Sequence, residues 1–556
     1  MSSVTAEVPT IWPLAGVRGR TRAAVGNPRW AIAAHVFRRS RRWALIWGGV
    51  FGLYVLATVR AFMAAYPTLT ARVQLAHSLQ PFSMLLGLPR HAETVAGFAS
   101  WRILTATILI GGIWGLLTST GLLRGEEDAG RWELLLVGQT TRRWAAGQAL
   151  LGLGASLGVM FVTTALLTLA AGGIPGTHFG FFGSVLFAAS MVSGAAMFLA
   201  IGALASQLRA TRGEAATLAA VVLGAAWVVR MIADSSPGLG WMRWLSPMGW
   251  IEELHPLQEA QPLALVPIVA LALGCAGLSV VLAGRRDLNA SVLPEHEAGE
   301  ANARLLVGPI SLALRVSGPV ALGWLAGIVG YAAMEGAITR SATTLLATSP
   351  AIAATLGRLG VRRATEGYLG MAFFFDAVLV AVVAAGQIAA IRDEEASGRL
   401  DNLLVRPVTR ARWLAGRIGV SFSVLVLAGL GAGLFTWLGA VSQHVNEPLW
   451  KLLEAGVNAT IPGVFVLGAG VLIFGLRPRL SPAVSYGIVA WSFLVDLIGS
   501  LIKGADWLRD SSLFTHMALA PAANPDWGTA AGIVLLGAAA AGIGAVRFSR
   551  RDIEYA

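Results

Sequence analysis

The sequence predicts an all-α polytopic membrane protein with twelve transmembrane helices, arranged as two parallel pseudo-symmetric halves of six. Three observations predict this fold class. The chain is 56% hydrophobic and only 13% charged, whereas about a quarter of the residues of a soluble domain are charged. Apolar runs of the roughly 20 residues that a helix needs to cross a bilayer recur along the whole chain. A charged cassette of seventeen residues occurs twice, 268 positions apart.

Hydropathy places six predicted spans in each half. The first half contains Trp43–Met63, Ala99–Leu123, Ala149–Gly172, Phe181–Ser206, Glu214–Ile232 and Pro262–Ala283. The second half contains Pro319–Ile338, Tyr368–Ile391, Ile418–Val441, Gly456–Leu476, Pro482–Leu501 and Gly528–Val546. Because six is an even number, both halves have the same orientation, and a pseudo-twofold axis along the membrane normal relates them.

Four segments follow from these spans. Residues 1–42 form a cytoplasmic N-terminus, 43–283 the first half, 284–306 a polar cytoplasmic linker, and 307–556 the second half with a cytoplasmic C-terminus. The arginine-rich stretch before the first span predicts an amphipathic helix that lies in the interface of an anionic leaflet. We expect an equivalent interfacial helix at the start of the second half.

The basic charge indicates orientation rather than nucleic-acid binding. With both termini in the cytoplasm, 29 of the 42 lysines and arginines fall in cytoplasmic segments, 10 outside and 3 within spans, as the positive-inside tendency requires in a plasma (inner) membrane. The single cysteine, Cys275, excludes disulfides within the chain. The eight histidines are scattered, so we expect no metal site and no catalytic residue.

The repeated cassette lies between the second and third spans of each half. It reads EEDAGRWELLLVGQTTR at Glu126–Arg142 and EEASGRLDNLLVRPVTR at Glu394–Arg410, and nine of the seventeen positions are identical. Apolar residues follow the acidic pairs at the i, i+3, i+4 spacing of one helix face, namely Trp132, Leu135, Leu136 and Leu400, Leu403, Leu404. The pattern predicts a short cytosolic helix with the acids at its start and arginines near its end. Periodicity alone leaves open whether this helix docks a partner or lies on the membrane.

The cassette resembles the coupling region of ABC exporter permeases of the type-2 superfamily. The fused layout is similar to actinobacterial tetronasin-resistance and multidrug efflux permeases, and the resemblance extends to the RRDL and RRDI ends of the halves at Arg285–Leu288 and Arg550–Ile553. The first cassette departs from the second in having Gln139 where the second has Pro407. The resemblance implies ATPase-coupling roles for Glu126, Glu127, Gly130, Arg131, Leu135, Leu136, Arg142, Glu394, Glu395, Gly398, Arg399, Leu403, Leu404 and Arg410.

The same resemblance implies a separate ATPase. The two lysines, Lys451 and Lys503, do not lie in a G-x-x-x-x-G-K-[ST] loop, so the chain itself is not expected to be an enzyme or to bind a cofactor. ATP and Mg²⁺ are expected on two copies of a nucleotide-binding subunit. The expected function is export of hydrophobic drugs, antibiotics or lipid-like molecules. The alternative is an ion-coupled secondary transporter of amphiphilic compounds, for which the membrane-embedded candidates are Arg60, Arg230, Glu335, Asp376 and Asp496.

Spans two and five of each half are implied to line the substrate pathway. Their large apolar side chains are Trp114, Trp227, Met231, Met371, Phe373, Phe374, Phe375 and Trp491; the alternative for each is a lipid-facing or interfacial position. Arg230 and Asp496 occupy almost equivalent places in spans five and eleven, with opposite charge. We predict an ion pair between them that closes the outer end of the pathway, the alternative being that each reaches the outer interface separately.

Overall fold

The chain is almost entirely helical, as its composition predicts. A computed structural model describes residues 30–79, 87–136, 141–234, 237–287, 290–292, 308–348, 363–405, 408–499 and 506–553. Within these ranges there is no strand, and eleven helices are long and apolar enough to cross a membrane. The all-α polytopic fold class is confirmed. The number twelve stays a prediction, because the predicted span Pro482–Leu501 contains a helix at Ser481–Gly499 that is not among the eleven.

The chain divides into two compact units, Met1–Glu297 and Ala298–Ala556. The described helices of the first unit are α1 (Ala31–Ala65), α2 (Leu69–Leu79), α3 (Val95–Leu122), α4 (Arg124–Asp128), α5 (Arg131–Leu136), α6 (Arg142–Gly172), α7 (Phe181–Leu208), α8 (Arg212–Asp234), α9 (Pro247–Glu252) and α10 (Leu265–Ala283). Helix α7 contacts α3, α6, α8 and α10, and α1 packs along α6. The centre of this unit is therefore α7.

The described helices of the second unit are α11 (Pro309–Thr348), α12 (Ala364–Ala396), α13 (Arg399–Leu404), α14 (Arg410–Ser442), α15 (Leu449–Leu476), α16 (Ser481–Gly499), α17 (Asp506–Arg509) and α18 (Trp527–Arg550). Helix α15 contacts α12, α14, α16 and α18, and α11 packs along α14. This is the packing pattern of the first unit, with α15 in the place of α7. The internal sequence repeat therefore corresponds to a repeated set of helix contacts.

Small residues bring the central helices close together. A Cβ built on Gly456 of α15 would lie 2.1 Å from the carbonyl oxygen of Gly429 in α14, so only glycine fits at this crossing. Without water to drive association, membrane helices depend on such close van der Waals contact. The glycines inside the apolar runs thus fix which helices are neighbours.

The predicted interfacial helices are not separate elements. Helix α1 continues without a break from Ala31 through the arginine-rich stretch to Ala65, and α11 runs from Pro309 to Thr348. The N-terminal arginines lie on the first turns of a 35-residue helix, which is longer than the roughly 20 residues that the hydrocarbon requires. A charged helix end can leave the hydrocarbon without a break in the helix. Hydropathy alone did not reveal that the arginine-rich stretch and the first span form one continuous helix.

Candidate functional site

The acidic pair of each cassette lies before a glycine turn and outside the short helix that follows this turn. Glu394 and Glu395 lie in the last turn of α12, and Gly398 follows with φ = 71° before α13 begins at Arg399. Glu126 and Glu127 lie in α4, and Gly130, with φ = 70°, precedes α5. Glycine adopts this left-handed conformation without a Cβ penalty, so it stops the helix and reverses the chain. The expectation that the acids open the short helix is wrong.

In the second unit, both carboxylates are buried and paired with arginine. Glu395 is 0% exposed and accepts two hydrogen bonds from Arg551, at 2.7 and 2.9 Å. Arg392 lies 3.3 Å from the same carboxylate. Glu394 pairs with Arg417 at 2.7 Å. The acids therefore join the end of α12 to the C-terminal RRDI motif and to α14.

The first unit repeats this arrangement. Glu127 accepts two hydrogen bonds from Arg286 of the RRDL motif, at 2.5 and 2.7 Å, and Glu126 accepts bonds from Arg131 and from Arg39 of α1. The second glutamate of each cassette thus binds the second arginine of its RRD motif. Two repeated sequence motifs that looked independent are partners in space.

The Thr-Arg end of each cassette adds to the same assembly. Thr141 and Thr409 cap the N-termini of α6 and α14 through their hydroxyls. Arg142 and Arg410, the next residues, donate to the backbone carbonyl oxygens of Arg286 and Arg551. The predicted position of these two arginines near the end of the short helix is wrong, because they begin the next span. We call Glu127, Arg142 and Arg286, with their counterparts Glu395, Arg410 and Arg551, the ion-pair clamp.

The apolar stripe of the short helix faces its own unit. Leu400 is 0% exposed in the core of the second unit, and Leu403 and Leu404 pack against that core. In the first unit Trp132 is buried, and the side chains of Leu135 and Leu136 lie outside the described residues. Because the glycine reversal folds the helix back onto the spans, Leu400 is taken up by the core of the unit, while Leu403 and Leu404 are only partly buried and Leu404 also lines a groove at the surface. Leu400 is therefore not available for docking, and a docking role for Leu403 and Leu404 stays a prediction.

A different surface of α13 remains accessible. Val405 is 88% exposed, and the Arg399 side chain is 59% exposed beside Asp393. Asp401, Val405 and Arg410 line a groove of about 510 Å³ that also includes Ile553. The solvent-facing part of the second cassette is thus a mixed polar and apolar groove that includes Arg410 of the ion-pair clamp.

Models of known protein families match both units of the chain. A family model described as ABC-2 family transporter protein matches residues 30–255, and one described as multidrug efflux system permease Rv1217c, C-terminal domain, matches residues 306–549. The chain is 26% identical over 521 residues to the multidrug efflux system permease protein Rv1217c of Mycobacterium tuberculosis (strain ATCC 25618 / H37Rv), with 92% of each chain covered. Both family matches and this relative support a type-2 ABC exporter permease. This family agrees with the resemblance seen in the cassettes.

The predicted pathway residues of this permease occupy different environments. Trp114 and Phe373 are buried within their own units, whereas Met371, Phe375 and Trp491 are exposed. Trp227 stacks under Arg230, and Phe374 contacts Phe375, Phe493 and Phe514. Trp491 lines a mainly apolar groove of about 630 Å³ between α15, α16 and α18. The assignment of these residues and of Met231 to a substrate pathway stays a prediction.

Near the C-terminal end of α8, Arg230 is the centre of a charged network in the first unit of the permease. Its side chain is 2% exposed and donates to Glu252 at 2.6 Å. Asp234 binds Arg243 at 2.6 Å, and Arg243 also binds Glu253. Burial raises the pKa of Glu252 to about 7, against the opposing effect of Arg230. Sequence reading missed this network because its members come from α8, a 3₁₀ segment and α9.

Asp496 also has partners within its own unit of the permease. Its carboxylate accepts hydrogen bonds from the hydroxyls of Ser512 and Thr515, in the loop after α17. To form the predicted gate, Arg230 and Asp496 would therefore each have to exchange their present partners for one another. The gate stays a prediction.

Proposed function

We propose that this permease is the membrane subunit of an ATP-driven exporter and that it moves hydrophobic drugs, antibiotics or lipid-like molecules out of the cell. The observation that carries the proposal is the duplicated ion-pair clamp. In each unit, buried ion pairs join the end of the span that leads into the short helix to the RRD motif at the end of the last span. A force applied to that helix is transmitted to those spans, because a buried charge pair resists separation.

The driving force would come from a separate nucleotide-binding subunit. Two copies, one below each cassette, would bind ATP and Mg²⁺ and hydrolyse the ATP, since the chain has no phosphate-binding loop of the Walker A type. In the second unit, the groove at Asp401, Val405 and Arg410 is the surface offered to that subunit. Both termini and both cassettes would lie in the cytoplasm.

The substrate class follows from the apolar walls of the units and from the family. The Mycobacterium tuberculosis relative is named as a multidrug efflux permease. Exposed aromatic and methionine side chains, such as Trp491 and Met371, give a surface that binds varied hydrophobic molecules with few polar anchors. We therefore expect broad selectivity for lipophilic compounds.

Co-expression with the cognate ATPase tests the proposal. The wild-type chain is expected to co-purify with that subunit, and the reconstituted complex should show ATPase activity stimulated by a panel of hydrophobic drugs and lipids. Val405→Asp should lower co-purification and stimulation at least about tenfold, because a charge at an apolar contact costs roughly 1.4 kcal/mol or more. Val292→Asp, a partly exposed valine of the linker region, serves as the matched control.

The alternative mechanism gives the opposite result. A secondary transporter would move substrate in vesicles with an ion gradient and no ATPase subunit. Gradient-driven transport by the chain alone, together with no stimulated ATPase activity in the complex, would contradict the proposal.

A further inference from the structure

Two acidic residues are buried on neighbouring helices inside the spans of the second unit. Glu335 of α11 is 4% exposed and Asp376 of α12 is 0% exposed. Both lie in helices that are long and apolar enough to cross a membrane, and α11 packs against α12. The two carboxyl groups interact electrostatically. Asp376 is twelve residues from the start of α12 at Ala364, which is about 18 Å along a helix.

No arginine within the described ranges pairs with these carboxyl groups, whereas Glu394 and Glu395 of the same unit each have an arginine partner. Among the described residues, neither oxygen of Asp376 and only one of the two oxygens of Glu335 has a hydrogen-bond partner. Tyr331, one helical turn before Glu335, bonds to its carboxylate, and the only charged group that acts on Glu335 within the described chain is Asp376. By contrast, Glu395 in the same unit is bound by two arginines.

A buried carboxylate with no counter-charge is costly, so such groups in membrane spans face a partner, water or a ligand. The surroundings favour a ligand that is both cationic and hydrophobic. Tyr331 and Tyr368 interact with both carboxyl groups, and the face of an aromatic ring attracts a positive charge. Phe373 to Phe375 immediately precede Asp376, and Phe374 packs in a cluster with Phe493 and Phe514.

A metal ion fits this cluster poorly. No group of three or more potential metal-ligating side chains occurs in the described part of the chain, and Ca²⁺ takes about six to eight oxygen ligands. An organic cation needs only one or two carboxylates to balance its charge, and aromatic or apolar side chains to surround the rest of the molecule. The geometry thus favours an organic cation over a metal ion.

We propose that Glu335 and Asp376 form a binding site for the positively charged group of a hydrophobic organic cation. This inference rests on the proposed export function and deepens it by naming a charge class of substrate. The site belongs to the second unit alone, since Ile108 stands at the position of Asp376 in the first repeat. The permease would then bind cationic substrates asymmetrically, despite its repeated fold.

Binding of tritiated tetraphenylphosphonium to the purified full-length chain tests the site. Asp376→Asn and Glu335→Gln should each weaken binding at least about thirtyfold, because one partner of a buried charge pair is lost. The matched control is Glu366→Gln, which lies on the same helix but pairs with Lys451 at 3.6 Å; its affinity for the phosphonium should stay within about twofold of wild type. Tetraphenylborate, of similar size and opposite charge, should not bind more weakly to the variants than to wild type.

Thermal unfolding separates binding from a structural role. The neutral variants should melt at or above the wild-type temperature, because an uncompensated buried carboxyl is removed. Equal phosphonium affinity in wild type and variants, absence of phosphonium binding to wild type, or a lower melting temperature that accounts for the lost binding would overturn the inference. Export of a neutral hydrophobic substrate by the wild-type complex is the independent readout. Its absence would count against the proposed function, whereas its presence together with unchanged phosphonium affinity in Asp376→Asn would overturn this inference alone.

Discussion

Carboxylates of neighbouring residues differ in burial and in their partners at the end of α12. Glu395 is 0% exposed and bound by Arg551 and Arg392, whereas Asp393, two residues earlier, is 72% exposed and meets Arg399 in solvent. Removing one partner of a buried pair leaves the other charge uncompensated, while water replaces the partner of an exposed pair. Charge reversal at Glu394 and Glu395 therefore tests the integrity of the clamp and does not isolate docking.

Glu395→Gln is expected to lower the free energy of unfolding by about 3–5 kcal/mol, because Arg551 loses its buried counter-charge. Asp393→Asn should change it by less than about 1 kcal/mol. Denaturant unfolding of the two purified variants in the same detergent measures the difference. If the two substitutions had equal effects, the buried pair would not stabilise the second unit.

At the scale of elements, the short helix of each cassette depends on one glycine. Gly398 has φ = 71° and no neighbouring atom within 4 Å of the position where a Cβ would stand. A substitution there meets no steric contact and changes only backbone strain. This strain decides whether α13 folds back so that Leu400 reaches the core.

Gly398→Ala should cost about 1–2 kcal/mol, since an L-residue pays that amount in the left-handed region. Gly398→Asn should cost less, because asparagine tolerates this conformation better. Gly419→Ala is the control: it lies inside α14, also with no atom within 4 Å, and should be neutral or slightly stabilising. Drug-stimulated ATPase activity of the complex should decrease in the order Gly419→Ala, Gly398→Asn, Gly398→Ala. An unchanged activity in Gly398→Ala would show that coupling does not depend on the chain reversal at Gly398.

At the scale of the whole molecule, the number of spans depends on helix α16. Leu480 and Trp507 flank it and are both exposed, and the single cysteine, Cys275, can be replaced by serine to give a background without thiols. In that background, a membrane-impermeant maleimide should label Trp507→Cys in intact cells. Leu480→Cys should react only after permeabilisation, because the cytoplasmic segments carry the basic excess. Labelling of both from one side would mean that α16 does not cross.

Double-mutant cycles test whether Arg230 of the first unit interacts with Asp496 of the second unit. If Arg230 and Asp496 form the outer gate, then Arg230→Ala, Asp496→Ala and their combination should be non-additive in basal ATPase activity by more than about 0.5 kcal/mol. The same cycle with Glu252, which lies 2.6 Å from Arg230, is the positive control. If the Arg230–Asp496 cycle is additive while the Arg230–Glu252 cycle shows coupling, then Arg230 interacts only within its own unit.

The sequence alone determined the class of protein, the approximate spans and the internal repeat. Hydropathy and charge bias are local properties, and each helix must be apolar over its own length to enter the bilayer. The resemblance of the cassettes to type-2 ABC permeases was likewise legible in the residues, and the family comparison confirms it.

The tertiary structure alone decided what the singled-out residues contact. Glu395 binds Arg551 across 156 positions of sequence, Leu400 faces inward because Gly398 reverses the chain, and Glu335 and Asp376 are buried on the neighbouring helices α11 and α12. Periodicity shows that a helix has two faces but not which neighbour covers each face. Partner choice and burial arise from contacts between distant helices. These contacts pair the acids of the cassettes with arginines, and they bury Glu335 and Asp376 with no cationic partner among the described residues.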